Sequence, residues 1–403
     1  MEVNPRAAGF TASRLQRISD HLNRNYIDSQ KIAGCQVLVA RHGTVAYYDN
    51  FGLMDIERNK SMKDDAIFRI YSMTKPITSI ALMQLYEQGL FQLNDPLYRV
   101  IPSWKDQQVY VSGDAADMEL ARPEQPVTFR HILSHMAGLS YGATNHPVDK
   151  LYRDKRVIRG DGATLDTFVD KLAQVPLHFQ PGSRWLYSYA TDVCGHLVEA
   201  LSGMPLDVYF EKHIFEPLGM TDTAFHVSAD KLDRFCANYE RGPDKALRLL
   251  DDPMSSTYAE KPTFLSGGGG LTGTTADYLK FCEMLRCHGT LNGERIIGSR
   301  TLKMMHMNHL PDNQDLSSMA VGAFSETAYE GVGFGLGFAS TLGEVQTGSL
   351  GTGDYYWGGA ASTIFWVDPV EDMVVIFMTQ LMPSATFNFR GQLKNIIYSA
   401  IED

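Results

Sequence analysis

Apolar residues recur at helical spacing near the start of the chain, where Leu15, Ile18, Leu22 and Tyr26 share one face behind Thr11, a residue type suited to capping a helix. The period then shortens. Cys35 to Ala40 and Thr44 to Asp49 are apolar, β-branched runs flanking His42-Gly43, a pair suited to a tight hairpin turn, and Ala66 to Ile70 reads as a short third strand. The other end repeats the combination. Ala361 to Val367 and Met373 to Thr379 read as strands joined by Asp368-Pro369-Val370-Glu371-Asp372, and Leu393, Ile396, Ile397, Ala400 and Ile401 mark a last amphipathic helix.

From about Leu90 to Arg300 the pattern is helical, with Phe129 to Met136, Thr164 to Ala173, Thr191 to Leu201 and Ala276 to Cys287 separated by long loops containing Gly and Pro. Both ends thus supply strands plus a helix, and the middle supplies helices. The economical α+β arrangement is one antiparallel sheet made by the two chain ends, with the terminal helices on one face. The expected division is a discontinuous sheet domain over 1–88 and 300–403 and an inserted helix-rich domain over 89–299, with the functional cleft between them.

Composition removes several functions. The 403 residues are 44% hydrophobic and 21% charged, as in a globular protein with a sizeable core. A formal net charge of −11, with no basic run longer than a pair, argues against a nucleic-acid partner. No run approaches the ~18 apolar residues of a membrane span. Met1 to Arg6 lack the order of an export signal, so a cytoplasmic location is expected. Five cysteines (Cys35, Cys194, Cys236, Cys282 and Cys287), odd in number and without C-x-x-C spacing, read as reduced thiols; no metal or cofactor is expected.

The candidate chemistry centres on Ser72-Met73-Thr74-Lys75, placed directly ahead of the apolar helical run Ile77 to Leu85. A serine hydroxyl needs a base within hydrogen-bond reach, and i,i+3 spacing on a helical turn brings a lysine amine there. The helix N-terminus also favours the negative charge of an attacking alkoxide. The same four residues read equally as a serine cap followed by a solvent lysine, which is how Ser228-Ala229-Asp230-Lys231 reads in its polar stretch. A serine hydrolase needs a second proton carrier and an oxyanion hole besides. Tyr187, in the loop Pro181 to Tyr189 before a helix, is suited to the first role. Ala360, after Trp357-Gly358-Gly359, is suited to the second, the glycines letting a ligand lie along an edge backbone.

Taken in order, Ser72-Met73-Thr74-Lys75, His131 to Leu139, Tyr187-Ser188-Tyr189 and Trp357-Gly358-Gly359 resemble the motifs of the β-lactamase-related, penicillin-binding-protein-like serine hydrolases, and among them the family VIII carboxylesterases. The stretches Phe215 to Met220 and Gly267 to Leu271 are similar to the family as well. The resemblance spans nearly the whole chain. It departs from the β-lactamases where Trp357-Gly358-Gly359 replaces Lys-Thr-Gly and where Tyr189 replaces an asparagine that reads the substrate amide. It therefore implies hydrolysis of small, uncharged carboxylic esters, with at most weak β-lactam turnover. Acyl transfer to an alcohol and a β-lactamase or peptidase activity are the alternatives.

The implied mechanism acylates Ser72, with Lys75 and Tyr187 jointly carrying the proton and the Ser72 and Ala360 N–H groups holding the oxyanion. Tyr141, Tyr189, Tyr355, Tyr356 and Trp357, with Gly358 and Gly359, are the expected substrate-binding residues.

Three further patterns read as structural. Gly138-Leu139-Ser140-Tyr141-Gly142 matches a nucleophile elbow but follows a helix rather than a strand. His131 and His135 have zinc-ligand spacing without the glutamate a zinc hydrolase needs, and Gly267 to Gly270 lack the Lys-Ser/Thr of a phosphate loop. That glycine run is expected to be a tight entry to the helix after Thr275.

Overall fold

The computed structural model describes residues 1–158, 162–322 and 329–402. Strands β1 (Gly34–Arg41), β2 (Thr44–Asp55) and β3 (Lys60–Ser61) come from the N-terminal segment. The C-terminal segment supplies β4 (Val332–Phe334), β5 (Ala339–Thr341), β6 (Tyr355–Gly358), β7 (Ile364–Asp368) and β8 (Met373–Thr379). They form one antiparallel sheet in the order β4-β5-β6-β7-β8-β1-β2-β3. The chain ends meet where β1 pairs with β8, from Cys35 opposite Thr379 to Arg41 opposite Met373. The β1–β2 turn takes positive φ at both His42 (54°) and Gly43 (71°), the geometry that follows the right-handed twist of the strands.

β8 is buried along its whole length, because helices cover both faces of the sheet. On one face α1 (Ala12–Leu22) packs against the C-terminal helix Phe389–Tyr398, whose Phe389 ring lies 4.7 Å from Phe377. On the other face lies helix Thr275–Arg286, with Tyr278 5.1 Å from Phe365. The helical unit centres on α2 (Thr74–Glu87), which packs on α5 (Ala190–Ser202). Around α5 lie α3 (Phe129–Leu133) and α4 (Leu165–Leu172). Continuing in chain order, Thr275–Arg286 is α6 and Phe389–Tyr398 is α7. Among the described residues no helix is long and apolar enough to cross a membrane.

Several local expectations change. Thr11 stands at the α1 N-cap, but its hydroxyl donates to Glu402 Oε1 at 2.6 Å and ties the two chain ends together. Of Ala66 to Ile70 only Phe68–Arg69 is a strand, and it pairs with Thr272–Gly273 outside the main sheet. Arg69 explains the departure. Its guanidinium is buried against Asp251 (2.7 Å) and the Cys236 carbonyl (2.6 Å), anchoring the segment to a different part of the chain. The strand expected from Ala361 begins at Ile364, because Ala360 to Thr363 form a turn with Ser362 at φ 65°.

Helix α6 lies within the stretch 89–299 yet packs on β7 and β8. We propose that the sheet domain resumes near Thr274, whose hydroxyl caps α6 by accepting the Asp277 N–H, rather than at 300.

Candidate active site

Ser72 lies in a 3₁₀ turn, Tyr71–Met73, that runs straight into α2. Tyr71 holds φ 41°, a left-handed conformation uncommon outside glycine. The strain is carried by its surroundings: the Tyr71 hydroxyl accepts from Asn238 Nδ2 at 3.2 Å, and its ring meets the Tyr258 edge at 6.5 Å. The turn leaves Ser72 half-buried, while every residue from Met73 to Met83 is buried.

Lys75 is 1% exposed; its Nζ donates to Ser72 Oγ at 3.0 Å and to the Gly268 carbonyl at 2.6 Å. Burial disfavours the ammonium form and pushes the Lys75 pKa down to about 7, against the opposing pull of Asp192.

Tyr187 closes the group. Its hydroxyl is hydrogen-bonded to Ser72 and Tyr141 and accepts from Trp357 Nε1 at 3.0 Å, and Lys75 Nζ sits 4.5 Å from the ring centroid. Burial raises the Tyr187 pKa well above the phenol range, with those hydrogen bonds working against it. The loop carrying Tyr187 is strapped in place: Trp185 N–H donates to the Met319 carbonyl (2.9 Å) and Leu186 N–H to the His135 carbonyl (3.0 Å). His135 itself, at φ 57°, lays its ring 4.9 Å from Tyr187 and places Nδ1 3.3 Å from Ser188 Oγ. Burial and nearby Lys75 hold its pKa well below the usual histidine value, so the ring is neutral.

The aromatic residues near the C-terminus divide by the two-residue period of β6. Tyr355 and Trp357 face α6 and the helical unit, whereas Tyr356 points to the opposite face, 4.2 Å over the Arg390 guanidinium of α7. Tyr356 is therefore not a cleft residue. Tyr355, on the same face as Trp357, is stacked 4.5 Å from His306 and does not line the cleft described below. Trp357 is 3% exposed and serves Tyr187 rather than open space.

The glycines also have a different use. A Cβ on Gly359 would lie 2.5 Å from the Ile70 carbonyl and would collide with Thr363 Oγ1, so this residue lets β6 close onto the segment leading to Ser72. β6 is an inner strand, not an edge. Gly358 pairs with Ile364. Ala360 follows in the turn, half-buried, and its N–H has no hydrogen-bond partner among the described residues.

Trp357→Phe keeps the ring and removes the N–H. The expected result is a fall of about fivefold in kcat with little change in KM, since one net hydrogen bond of ~1 kcal/mol that orients Tyr187 is lost. Steady-state kinetics on an aromatic and an aliphatic ester checks it. A rise in KM confined to aromatic esters would instead make Trp357 a pocket wall.

A cleft of about 630 Å³ opens beside this group, lined by Tyr141, Tyr152, Arg153, Arg156, Val157, Ile158 and Tyr189. Of the expected pocket residues only Tyr141 and Tyr189 line it. Their rings meet edge to face at 4.5 Å, and Tyr141 also touches the Tyr187 ring at 5.4 Å. Arg153 braces the loop behind Tyr141 by donating to the Gly142 and Thr144 carbonyls at 2.7 and 2.8 Å. Tyr152, Val157 and Ile158 belong to none of the motifs read from the sequence.

The patterns read as structural have local explanations. Ser140 Oγ accepts the Gly142 N–H at 3.0 Å and closes a loop. His131 forms a capping box with Thr128 at the start of α3. Lys231 pairs with Asp222 at 2.9 Å. Among the described residues no cluster of three His, Cys, Asp or Glu side chains is arranged to hold a metal ion. The glycine run at 267–270 is not a helix entry: Gly267 and Gly268 pass between α2 and α5, where Gly268 meets Lys75 and Asp192.

Residues 19–396 match the Beta-lactamase family. An uncharacterized protein of Mycobacterium tuberculosis is 33% identical over 367 residues, covering 89% of this chain and 88% of its own. Esterase EstB of Burkholderia gladioli is 29% identical over 399 residues, covering 94% of this chain and 93% of that protein. Among solved structures, EstCE1, a hydrolase with promiscuous acyltransferase activity, superposes with a TM-score of 0.80 at 27% identity, over 96% of this chain and 99% of that one. The order of elements, the sheet and these likenesses agree: the chain belongs to the beta-lactamase family, among its esterase-like serine hydrolases.

Proposed function

We propose that the protein hydrolyses small, uncharged carboxylic esters through an acyl-Ser72 intermediate. The observation that carries this reading is the buried Lys75 amine, its pKa lowered to about 7, 3.0 Å from the hydroxyl of a half-buried serine. Ser72 Oγ attacks the ester carbonyl and its proton passes to Lys75, which is a free base near neutrality where Tyr187 remains a neutral phenol. Tyr187 relays the proton to the departing alkoxide, so the alcohol leaves neutral. The N–H groups of Ser72 and Ala360 hold the oxyanion, each worth ~3 kcal/mol to the transition state. Water, deprotonated by the same pair, releases the acid and restores Ser72.

Esters are favoured over amides because Tyr189 occupies the place from which an amide side chain would read the substrate. The cleft wall is three tyrosine rings with Val157 and Ile158, beside Arg153, which is engaged by the Gly142 and Thr144 carbonyls, and the exposed Arg156. β-Lactam turnover stays weak, since Trp357 brings no cation to a substrate carboxylate. A cytoplasmic location belongs to the same reading and rests on five cysteines without a disulfide.

EstCE1, described as both hydrolase and promiscuous acyltransferase, supports a second outcome for the same acyl-enzyme, transfer to an alcohol. Hydrolysis of a p-nitrophenyl acyl-ester series in the presence of a competing primary alcohol tests both. Free acid as the main product is the expected result, with a minor fraction of the alcohol ester. An ester product dominating at low alcohol concentration would make the enzyme a transferase, and no turnover of any ester would sink the reading.

A further inference from the structure

We infer that Asp192 is a positioning residue for this centre, acting through the Gly268 peptide on both the place and the basicity of the Lys75 amine. The inference rests on the roles proposed above for Ser72 and Lys75.

Asp192 lies in the first turn of α5, five residues beyond Tyr187, and is 2% exposed. A carboxylate so deep needs donors, and it has them. Its Oδ1 accepts the Gly268 N–H at 3.0 Å and the Ser266 hydroxyl at 2.5 Å. The carbonyl of that same Gly268 accepts from Lys75 Nζ at 2.6 Å. Carboxylate and amine are therefore joined through one residue, whose N–H faces one and whose C=O faces the other. Asp192 makes no direct ion pair with Lys75, and its charge acts on the amine at longer range.

The glycines make the link possible. A Cβ at Gly268 would stand 2.5 Å from Asp192 Oδ2, and one at Gly267 would stand 2.8 Å from the Thr191 carbonyl. The opposite side is pinned by Thr78 Oγ1 donating to the Gly267 carbonyl (2.7 Å) and by the Leu271 N–H donating to Thr74 Oγ1 (3.2 Å). The segment is clamped between α2 and α5 with its carbonyl aimed at the amine.

The charged and titratable groups around Lys75 are few. Among the described residues Tyr141 and Tyr187 are neutral phenols, His135 is a neutral ring, and Asp192, whose own pKa burial raises against the hydrogen bonds from Ser266 and Gly268, is the group that favours the ammonium form. Burial by itself would carry the amine lower and leave a weaker base. Asp192 offsets that, keeping Lys75 able both to take the Ser72 proton and to return it.

The test is the pH dependence of kcat/KM for wild type and Asp192→Asn, which retains an oxygen for the Gly268 N–H while removing the charge. The expected result is an acid limb displaced downward by about one pH unit, a plateau kcat lowered about tenfold and KM changed less than twofold. A merely structural role would lower activity without moving the limb, and that outcome overturns the inference.

Should Asp192→Asn not fold, Ser266→Ala withdraws one donor from the carboxylate and is expected to move the limb the same way by less; an unmoved limb there also overturns it. Wild type lacking an acid limb, or an active Ser72→Ala, would instead remove the underlying reading. With both of those in order, an unmoved limb in the Asp192 variant removes this inference alone.

Discussion

Ser72→Ala is expected to lower kcat for p-nitrophenyl esters by at least about a thousandfold and to abolish the acyl adduct seen by intact-mass measurement. Among the described residues the nearby serines are engaged elsewhere. Ser140 is committed to the Gly142 N–H, Ser188 lies against His135, and Ser266 donates to Asp192. The fold should survive, because the side-chain hydrogen bonds Ser72 gives up among the described residues are those to Lys75 and Tyr187. Residual activity at the wild-type level, with adduct elsewhere, would show that another residue carries the chemistry.

The second large effect belongs to Lys75. With its pKa near 7, kcat/KM for wild type should fall about tenfold per pH unit below 7, because only the free amine can accept the Ser72 proton. Lys75→Ala should cost about a thousandfold and erase that limb. A flat profile from pH 5 to 8 would contradict the assignment of Lys75 as base.

The same residue should show in stability. Its folded pKa is depressed below the unfolded value of about 10.5, so between these values the unfolded chain binds the extra proton and stability rises with pH. The cost of the buried amine is thus fully present below pH 7 and fades as pH climbs toward 10.5. Lys75→Met should be the more stable protein at pH 6, by on the order of 3 kcal/mol after the lost Gly268 hydrogen bond is allowed for. That gain should shrink at pH 10, as urea denaturation at the two values would show. The proposed base would thus be held against stability, a trade-off general to active sites.

How much of this could be read without coordinates varies with the distance along the chain between the partners. Ser72 and Lys75 were legible because one helical turn joins them, and the hairpin at His42-Gly43 because its geometry is set by two residues. Trp357 was legible as a motif but not as a partner: its N–H meets a phenol 170 residues away, and no local pattern specifies that contact. Tyr356 was misplaced for a similar reason. Neighbours along a strand face opposite ways, and the aromatic run alone does not say which face holds the cleft.

Asp192 and Gly268 left no readable signal beyond an acidic first turn and a glycine cluster. His135 left only a histidine in a motif. All three matter through contacts made across the space between helices.

By itself the sequence determined the elements: strands at both chain ends, helices between them, a serine and a lysine on one turn, and an ordered set of motifs that marks a beta-lactamase-family hydrolase. Local propensity and short-range geometry suffice for these, since each depends on residues a few positions apart. The tertiary structure decided which buried faces meet. It set α6 against the sheet rather than with the helical unit, brought Trp357 to Tyr187, and threaded Gly268 between Lys75 and Asp192. Periodicity records that a face is buried but not by what, and it is the identity of those neighbours that lowers the Lys75 pKa.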